Sequence, residues 1–321
     1  MKNQFRGPNG LKELVFIFLI VISMGFWGGA WSSAKAISGL VSSQTIVLFR
    51  FIFATMAIAP LIFIFKQSFH IGTRGLVWTL FGAALFAAYN QLFFMGIETG
   101  LAGAGGVLVT TTNPIFTYII SAFFIRKRMP LLAVVGLALG FSGGFLMLRL
   151  WTFDASEILR FGNGLFLISS VVWASVTVVS GHTQKTVPFA AYMFYFYLFA
   201  TIFSVPFSLY AGDTGAVFSQ GGFFWLNLLY LSFLAMAFSA TIYFIASGKL
   251  GSRRASNFVF LVPVFAVLFS FLFLGEIPTW NTVVGGALAM AAVYILNSRR
   301  ATAAPAGEAD DMGLESIVSD R

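Results

Sequence analysis

The stretch that decides the fold is Ala102–Leu148, AGAGGVLVTTTNPIFTYIISAFFIRKRMPLLAVVGLALGFSGGFLML. It reads as an apolar helix holding Pro114, a basic break at Arg126-Lys127-Arg128, and a second apolar helix carrying glycines. The chain contains this pattern twice. Moved forward by 149 residues without a gap, Pro114 falls on Pro263, Phe116 on Phe265, Ser121 on Ser270 and Phe124 on Phe273. Val134-Val135-Gly136 then falls on Val283-Val284-Gly285, and Ala138-Leu139 on Ala287-Leu288. A self-match of this length means two copies of one supersecondary unit.

Composition sets the environment of both copies. Of 321 residues 59% are hydrophobic and 9% charged, against about a quarter charged in a soluble domain. Such a chain cannot cover its apolar surface in water, and its solvent is the lipid bilayer. The net charge of +8 does not point to nucleic acid, because Lys and Arg sit in the short breaks between apolar runs, the pattern of membrane orientation. With no cysteine there is no disulfide and no thiolate metal site. No metal-ligand cluster, phosphate loop or paired catalytic carboxylates stand out, so no metal and no cofactor are expected.

Crossing about 30 Å of hydrocarbon takes roughly 20 apolar residues. Ten runs qualify: 14–34, 44–65, 76–97, 102–124, 131–149, 163–180, 189–211, 223–247, 254–274 and 279–297. Each must satisfy its own backbone, so the expected fold is all-α, an integral membrane protein. The first run follows Lys2, Arg6 and Lys12 like a signal sequence, but it is too long for an h-region and is read as an uncleaved span. With the N-terminus inside, fifteen Lys and Arg fall in inner segments, three (Lys35, Arg149, Arg160) in outer ones, and Arg50 within a span. Both termini are therefore expected in the cytoplasm, and the membrane is expected to be the inner one.

Ten spans in two copies give five helices each, and an odd number of crossings forces the copies into opposite orientation. The opening helices also match, at an offset of 146: Leu19, Ser23 and Trp27 against Leu165, Ser169 and Trp173. The expected organisation is an N-terminal segment 1–13, a first copy 14–149, an outer linker 150–162, a second copy 163–297 and a disordered acidic tail 298–321. Inverted repeats are the architecture of secondary transporters, with the binding site near the midplane where the copies meet.

Several features together resemble the EamA family of the drug/metabolite transporter superfamily. They are the ten spans in two copies, Trp27-Gly28 in the first helix, Arg50-Phe51 in the second, the proline-bearing fourth and ninth helices, and Gly275-Glu276 after the ninth. The resemblance covers roughly residues 14–297. It implies a central cavity bounded by the first, third, fourth, sixth, eighth and ninth helices, and export of amino acids or related compounds. One departure stands out: Arg126-Lys127 replaces the Gly-Glu expected after the fourth helix, so Lys127 falls on Glu276.

The residues that could carry transport are polar or aromatic groups within spans. No acid lies deep in a span, which argues against a lipophilic-cation pump that needs an intramembrane carboxylate. Glu98, at the outer end of the third helix, is the nearest candidate, and with Lys35 and Glu276 it is a candidate coupling or gate charge. Arg50 lies about six residues, or ~9 Å, into its span. It either snorkels, or pairs with a substrate carboxylate or helps hold an outer gate. Trp27, Trp31 and Trp173 either face lipid or wall a cavity. Tyr89, Asn90, Gln91, Thr111, Asn113, Tyr243 and Asn257 complete the candidate cavity, and Pro114 and Pro263 are the candidate hinges. The hydroxyls of Thr110-Thr111-Thr112 have a second reading, as partners for carbonyls that Pro114 frees.

Gly136, Gly140 and Gly144, with Gly285 and Ala289 in the second copy, form small-xxx-small faces for close packing, within the chain or across a homodimer. Gly140-Phe141-Ser142-Gly143-Gly144 matches a serine-nucleophile motif. The only histidines, His70 and His182, fall in the other set of loops, so no general base is at hand. The reading is a metabolite transporter working by alternating access on a small-molecule substrate. An uptake permease is the near alternative, and an intramembrane serine protease or a membrane scaffold the distant ones.

Overall fold

The computed structural model describes residues 8–100, 102–125, 129–152, 161–274 and 277–298. Among these every regular element is helical. The helices are α1 (Pro8–Ile37), α2 (Ser43–Ile64), α3 (Gly72–Thr99), α4 (Ala102–Ile125), α5 (Leu131–Leu148), α6 (Phe161–Thr183), α7 (Phe189–Ala211), α8 (Gly222–Leu250), α9 (252–274) and α10 (Trp280–Leu296). Nine are long and apolar enough to cross a membrane; α10, at 17 residues, is apolar but shorter. The expected ends of 163–180 and 223–247 move outward in α6 and α8, because helical turns run on into the polar flanks. Arg126-Lys127-Arg128, residues 153–160 of the 150–162 linker, Gly275-Glu276 and the 298–321 tail beyond Ser298 lie outside the described residues, while Phe161 and Gly162 of that linker open α6.

Two helices are irregular, and both belong to the second copy. α8 is α-helical over Gly222–Leu229, π-helical over Tyr230–Ala240 and α-helical again over Thr241–Leu250. In a π turn the carbonyls splay outward, and side chains occupy them here. Trp27 Nε1 donates to Ala235 O at 2.7 Å, the Tyr197 hydroxyl to Met236 O at 3.0 Å and Ser239 Oγ to Leu234 O at 2.7 Å. α9 runs as Ser252–Asn257, a 3-10 turn at Phe258–Phe260, then Leu261–Leu274. Pro263 lacks the N–H that would bond Val259 O, which places the missing bond inside that turn. By contrast α4 carries Pro114 through one unbroken helix.

The packing brings helices of the two halves together in pairs. α2 crosses α7 in antiparallel fashion, with Thr45 on Ser208 at one end, Phe65 on Phe189 at the other, and Thr55 Oγ1 against Thr201 Oγ1 at 3.2 Å between them. α5 lies along α10, where a Cβ at Gly143 would meet Gly285 O at 2.6 Å. Only glycine allows that approach. Leu296 fills the space beside Gly136, and Met147 fills the space beside Gly285. Phe260 covers Gly140, and Thr111 covers Gly144. The small-residue faces are thus filled within the chain, so a homodimer through these glycines would have to share faces already occupied.

The start of α2 is held by two acids. Asp213, just past α7, accepts from Ser42 N (2.6 Å), Ser42 Oγ (2.7 Å) and Thr45 Oγ1 (2.6 Å), while Glu98 at the end of α3 accepts from Ser43 N at 3.0 Å. Acids suit the positive end of a helix. Partial burial pushes the Asp213 carboxyl up, but its hydrogen bonds from Thr45 and Ser42 outweigh that and hold it below the usual carboxylate range.

Candidate functional site

A small cavity of about 70 Å³ sits where α1, α2, α3, α4, α6, α8 and α9 converge. Its aromatic wall is built from α1, α3 and α6. Trp27 and Trp173 meet edge to face at 5.1 Å, Tyr89 lies 4.6 Å from Trp173, and Trp31 packs on Phe93 at 4.7 Å. Trp27 is fixed by its bond to the π segment, whose Ala235, Met236 and Ala240 also line the cavity.

The polar wall is Arg50, Asn90, Thr110 and Asn113. Arg50 is 7% exposed, so it does not snorkel. Its Nη1 donates to Asn90 Oδ1 at 2.9 Å, and Asn90 Nδ2 in turn donates to Phe86 O at 2.9 Å. The guanidinium lies 4.9 Å from the Phe94 ring centre. No carboxylate among the described residues pairs with it, and its Nε is buried without a partner. Asn113, fully buried, leaves both amide atoms unpartnered. A buried cation lacking a counter-ion is costly, and within a membrane it marks a functional position. This wall therefore carries a cation without a counter-ion and, packed behind its surface, an unpartnered N–H and amide.

Positions related by the two repeat offsets recur together in the lining of the cavity. Trp27 and Trp173 are one such pair; Thr110 with Val259 and Asn113 with Val262 are others. The symmetric frame is thus decorated asymmetrically, polar on α4 and aliphatic on α9. Such a cavity fits a small molecule with a charged or polar end and an apolar end.

A second, open cavity of about 690 Å³ adjoins the first. Trp31 and Val262 belong to both walls. It lies at the end where α1 and α5 finish and α4 and α10 begin, and includes Lys35, Pro263 and Thr279. Lys35 Nζ donates to Ile97 O at the end of α3, at 2.8 Å. At the opposite end of the molecule the helices are shut: Asn257 Nδ2 reaches the Tyr118 hydroxyl at 3.5 Å, and Ser247 and Ser252 both donate to Thr177 O.

Of the residues singled out from sequence, Trp27, Trp31, Arg50, Tyr89, Asn90, Asn113 and Trp173 line the central cavity. Others stand outside it. The Tyr243 hydroxyl is 3.0 Å from Thr177 Oγ1, and its ring backs Trp27 and Trp173. Gln91 is buried with both amide atoms unpartnered, and Thr111 packs between α4 and α5. Asn257 is in the shut end, Pro263 borders the open cavity, and Pro114 lies one residue beyond Asn113. The threonine hydroxyls of α4 donate to Gly106, Val107 and Leu108 O, one turn before the Thr110 carbonyl that Pro114 frees, so they do not fill that gap. Glu276 lies outside the described residues. Ser142 is exposed on the outer side of α5, while His182 packs on Trp78 at 5.0 Å.

The lining residues not singled out are mostly apolar: Met236, Ala235, Ala240, Val259 and Val262 carry no polar mark. Phe93 and Thr110 were within reach, since they lie four and three residues from Tyr89 and Asn113 on the same helix faces.

A profile of one family, described as "EamA-like transporter family", matches residues 14–149 and again 160–298. The chain belongs to the EamA-like transporter family. Its relatives within this group of membrane transporters include an uncharacterized transporter of Archaeoglobus fulgidus, 24% identical over 88% of this chain and 97% of that one. A probable terminal-alkyne amino-acid exporter of Streptantibioticus cattleyicolor is 28% identical over 68% and 72% of the two chains. A probable amino-acid metabolite efflux pump of Salmonella typhimurium is 26% identical over 67% and 75%. The fold of this EamA-like transporter is also that of a solved crystal structure, with a TM-score of 0.72 at 17% identity over 88% of this chain and 96% of that one.

Proposed function

We propose that the chain is a secondary transporter of ten membrane-crossing helices in two inverted copies, 14–149 and 163–297. It moves small metabolites with a carboxylate or neutral polar end by alternating access. Arg50 carries the reading: it is buried in the wall that also holds Asn113, its Nε and the Asn113 amide have no partner, and no carboxylate among the described residues neutralises it. A substrate carboxylate supplies what is missing, and the aromatic and aliphatic walls take the rest of the molecule. Amino acids and related compounds are the favoured cargo, in line with the names of two relatives; export is the favoured direction, and uptake of an organic solute by the same cavity is the alternative.

The contacts between the halves support the inversion. Thr55 and Thr201 are equivalent at offset 146 and touch each other, as residues on a two-fold axis do. Gly136 contacts Leu296 while its equivalent Gly285 contacts Met147, the equivalent of Leu296 at offset 149. α10 lies along α5 and takes the tenth crossing as its counterpart. Charge placement supports a cytoplasmic position for both termini, in a cell whose inner membrane holds the chain. The large open cavity then faces outward, and the Tyr118–Asn257 end is the shut inner side.

The test is uptake by sealed proteoliposomes of a labelled mixture of the twenty protein amino acids, run beside Arg50→Ala at matched protein insertion. Saturable uptake that Arg50→Ala loses is the expected result. Equal uptake by the two proteins sinks the assignment of Arg50, and uptake by neither sinks the choice of cargo.

A further inference from the structure

At the shut end of the molecule stands a second, partly buried guanidinium, that of Arg253, whose Nε and Nη2 no described group engages by hydrogen bond. Arg253 opens α9, Asn257 follows one turn later on the same face, and Val259 and Val262 beyond it already line the central cavity. From α4 comes Tyr118, five residues past Asn113. The Arg253 guanidinium stands 5.3 Å from the Tyr118 ring centre, and the Asn257 amide reaches the Tyr118 hydroxyl at 3.5 Å. Asn257 is fully buried and Tyr118 nearly so.

The unpaired atoms define the chemistry. Arg253 Nε and Nη2 are both buried without a partner, as is Asn257 Oδ1. Nε and Nη2 share the side edge of a guanidinium, two near-parallel N–H groups spaced for the two oxygens of a carboxylate. An arginine serving only to bolt two helices together would spend that edge on a carbonyl or an acid, since leaving it buried and empty is unfavourable. The cluster also repeats the composition of the central cavity, where the free groups are Arg50 Nε and the Asn113 amide.

We propose that Arg253, with Asn257 and Tyr118, is a second carboxylate station on the transport route, closed in this structure and exposed when the ends of α4 and α9 part. The proposal rests on the transport reading above. Lys35 at the open rim, Arg50 at the centre and Arg253 at the shut end then form three cationic steps. The described acids nearest the route, Glu98 and Asp213, are engaged at the start of α2. The 3-10 turn at Phe258–Phe260 directly follows Asn257, so a change of pitch there re-aims Arg253 while Val262 stays with the central wall. The ligand is a carboxylate with an adjacent hydrogen-bonding group, the same head that suits Arg50 and Asn113. The competing occupant is the phosphate of an acidic lipid.

The full chain with ¹⁵Nε-labelled arginine, in phosphatidylcholine nanodiscs, reports on both stations at once. The Arg50 and Arg253 signals are assigned by their loss in Arg50→Lys and Arg253→Lys, or in Arg253→Gln should the lysine variant not fold. Acetate is expected to shift both signals saturably, with chloride at equal ionic strength shifting neither. Arg253→Lys is expected to keep the acetate response of Arg50 while cutting amino-acid flux from the shut side roughly tenfold. A shift of Arg50 alone overturns the second station and leaves the central site standing. A shift of Arg253 on changing to phosphatidylglycerol discs but not on adding acetate overturns it in favour of a lipid headgroup. If neither signal responds to acetate, the carboxylate reading of the central cavity fails as well.

Discussion

α4 and α9 occupy equivalent places in the two halves and carry equivalent prolines, yet they are built differently. α4 passes through Pro114 as one helix, its Thr110, Thr111 and Thr112 hydroxyls back-bonded to the preceding turn. α9 loosens into a 3-10 turn just before Pro263, where Phe258, Val259 and Phe260 have no hydroxyl to offer. The neighbouring pair repeats the contrast, with α3 regular throughout and α8 π-helical over eleven residues. Equivalent prolines thus sit in helices of different regularity, and a proline alone does not decide where a membrane helix loosens. The first half supplies the polar wall, on regular helices, that holds Arg50, Asn90 and Asn113, and we propose that it is the stiff side. The second half supplies Trp173 and an aliphatic wall whose loosened backbone borders the cavity, as π turns at functional sites often do, and we propose that it is the pliant side.

The largest effect should come from emptying the stiff wall. Arg50→Ala is expected to lower transport by roughly thirtyfold or more, the loss of a charge-assisted bond worth about 2 kcal/mol, with normal membrane insertion on a surface-labelling assay. Arg50→Lys should recover only part of it, because the ammonium lacks the guanidinium's fixed N–H geometry. Next comes Asn113→Val, which copies the α9 residue onto α4. The expected loss is about fivefold, from one neutral hydrogen bond near 1 kcal/mol. The converse change, Val262→Asn, should instead shift preference toward more polar cargo in a competition assay.

The backbone contrast predicts a smaller difference. Restoring the N–H in Pro263→Ala should regularise the α9 turn and slow flux several-fold, whereas Pro114→Ala should leave flux within about twofold, since α4 is already continuous. Equal effects of the two substitutions would show that the irregular turn is not the moving element. Least disruptive is Asp213→Asn, which weakens the attachment of the α7 end to the start of α2. It should cost about 1 kcal/mol in a denaturation assay at neutral pH. Because the folded-state pKa of Asp213 is lowered, its contribution is fully present above the unfolded-state pKa and fades as pH falls through the folded one. The wild type should therefore lose that increment in acid, and Asp213→Asn should show no such step.

Much of this arrangement was legible beforehand. The two offsets revealed the copies, and hydropathy placed the helices to within a few residues because a spanning run must be apolar and self-bonded. Further matches lay unread at the offset of 146, Thr55 with Thr201 and Pro60 with Pro206; their meaning emerges only when the threonines are seen in contact. Polar residues in a span are rare enough to announce themselves, which is why Arg50, Asn90 and Asn113 could be read from sequence. Met236, Val259 and Val262 could not, since an aliphatic side chain facing a cavity looks like one facing lipid. The π segment was equally hidden, because it depends on the Trp27 and Tyr197 bonds that reach it from other helices.

The central claim is that one cavity, between a stiff wall and a pliant one, opens to each side of the membrane in turn. The chain has no cysteine, so Thr110→Cys places a single thiol in that cavity beside Arg50 and Asn113 without removing either. Labelling it in sealed vesicles of known orientation, with a membrane-impermeant thiol reagent applied to one face at a time, is the most direct measurement. The account predicts labelling from both faces, with the two rates moving in opposite directions when the amino-acid mixture is added to one side. A thiol reached from only one face, with or without that mixture, would contradict it.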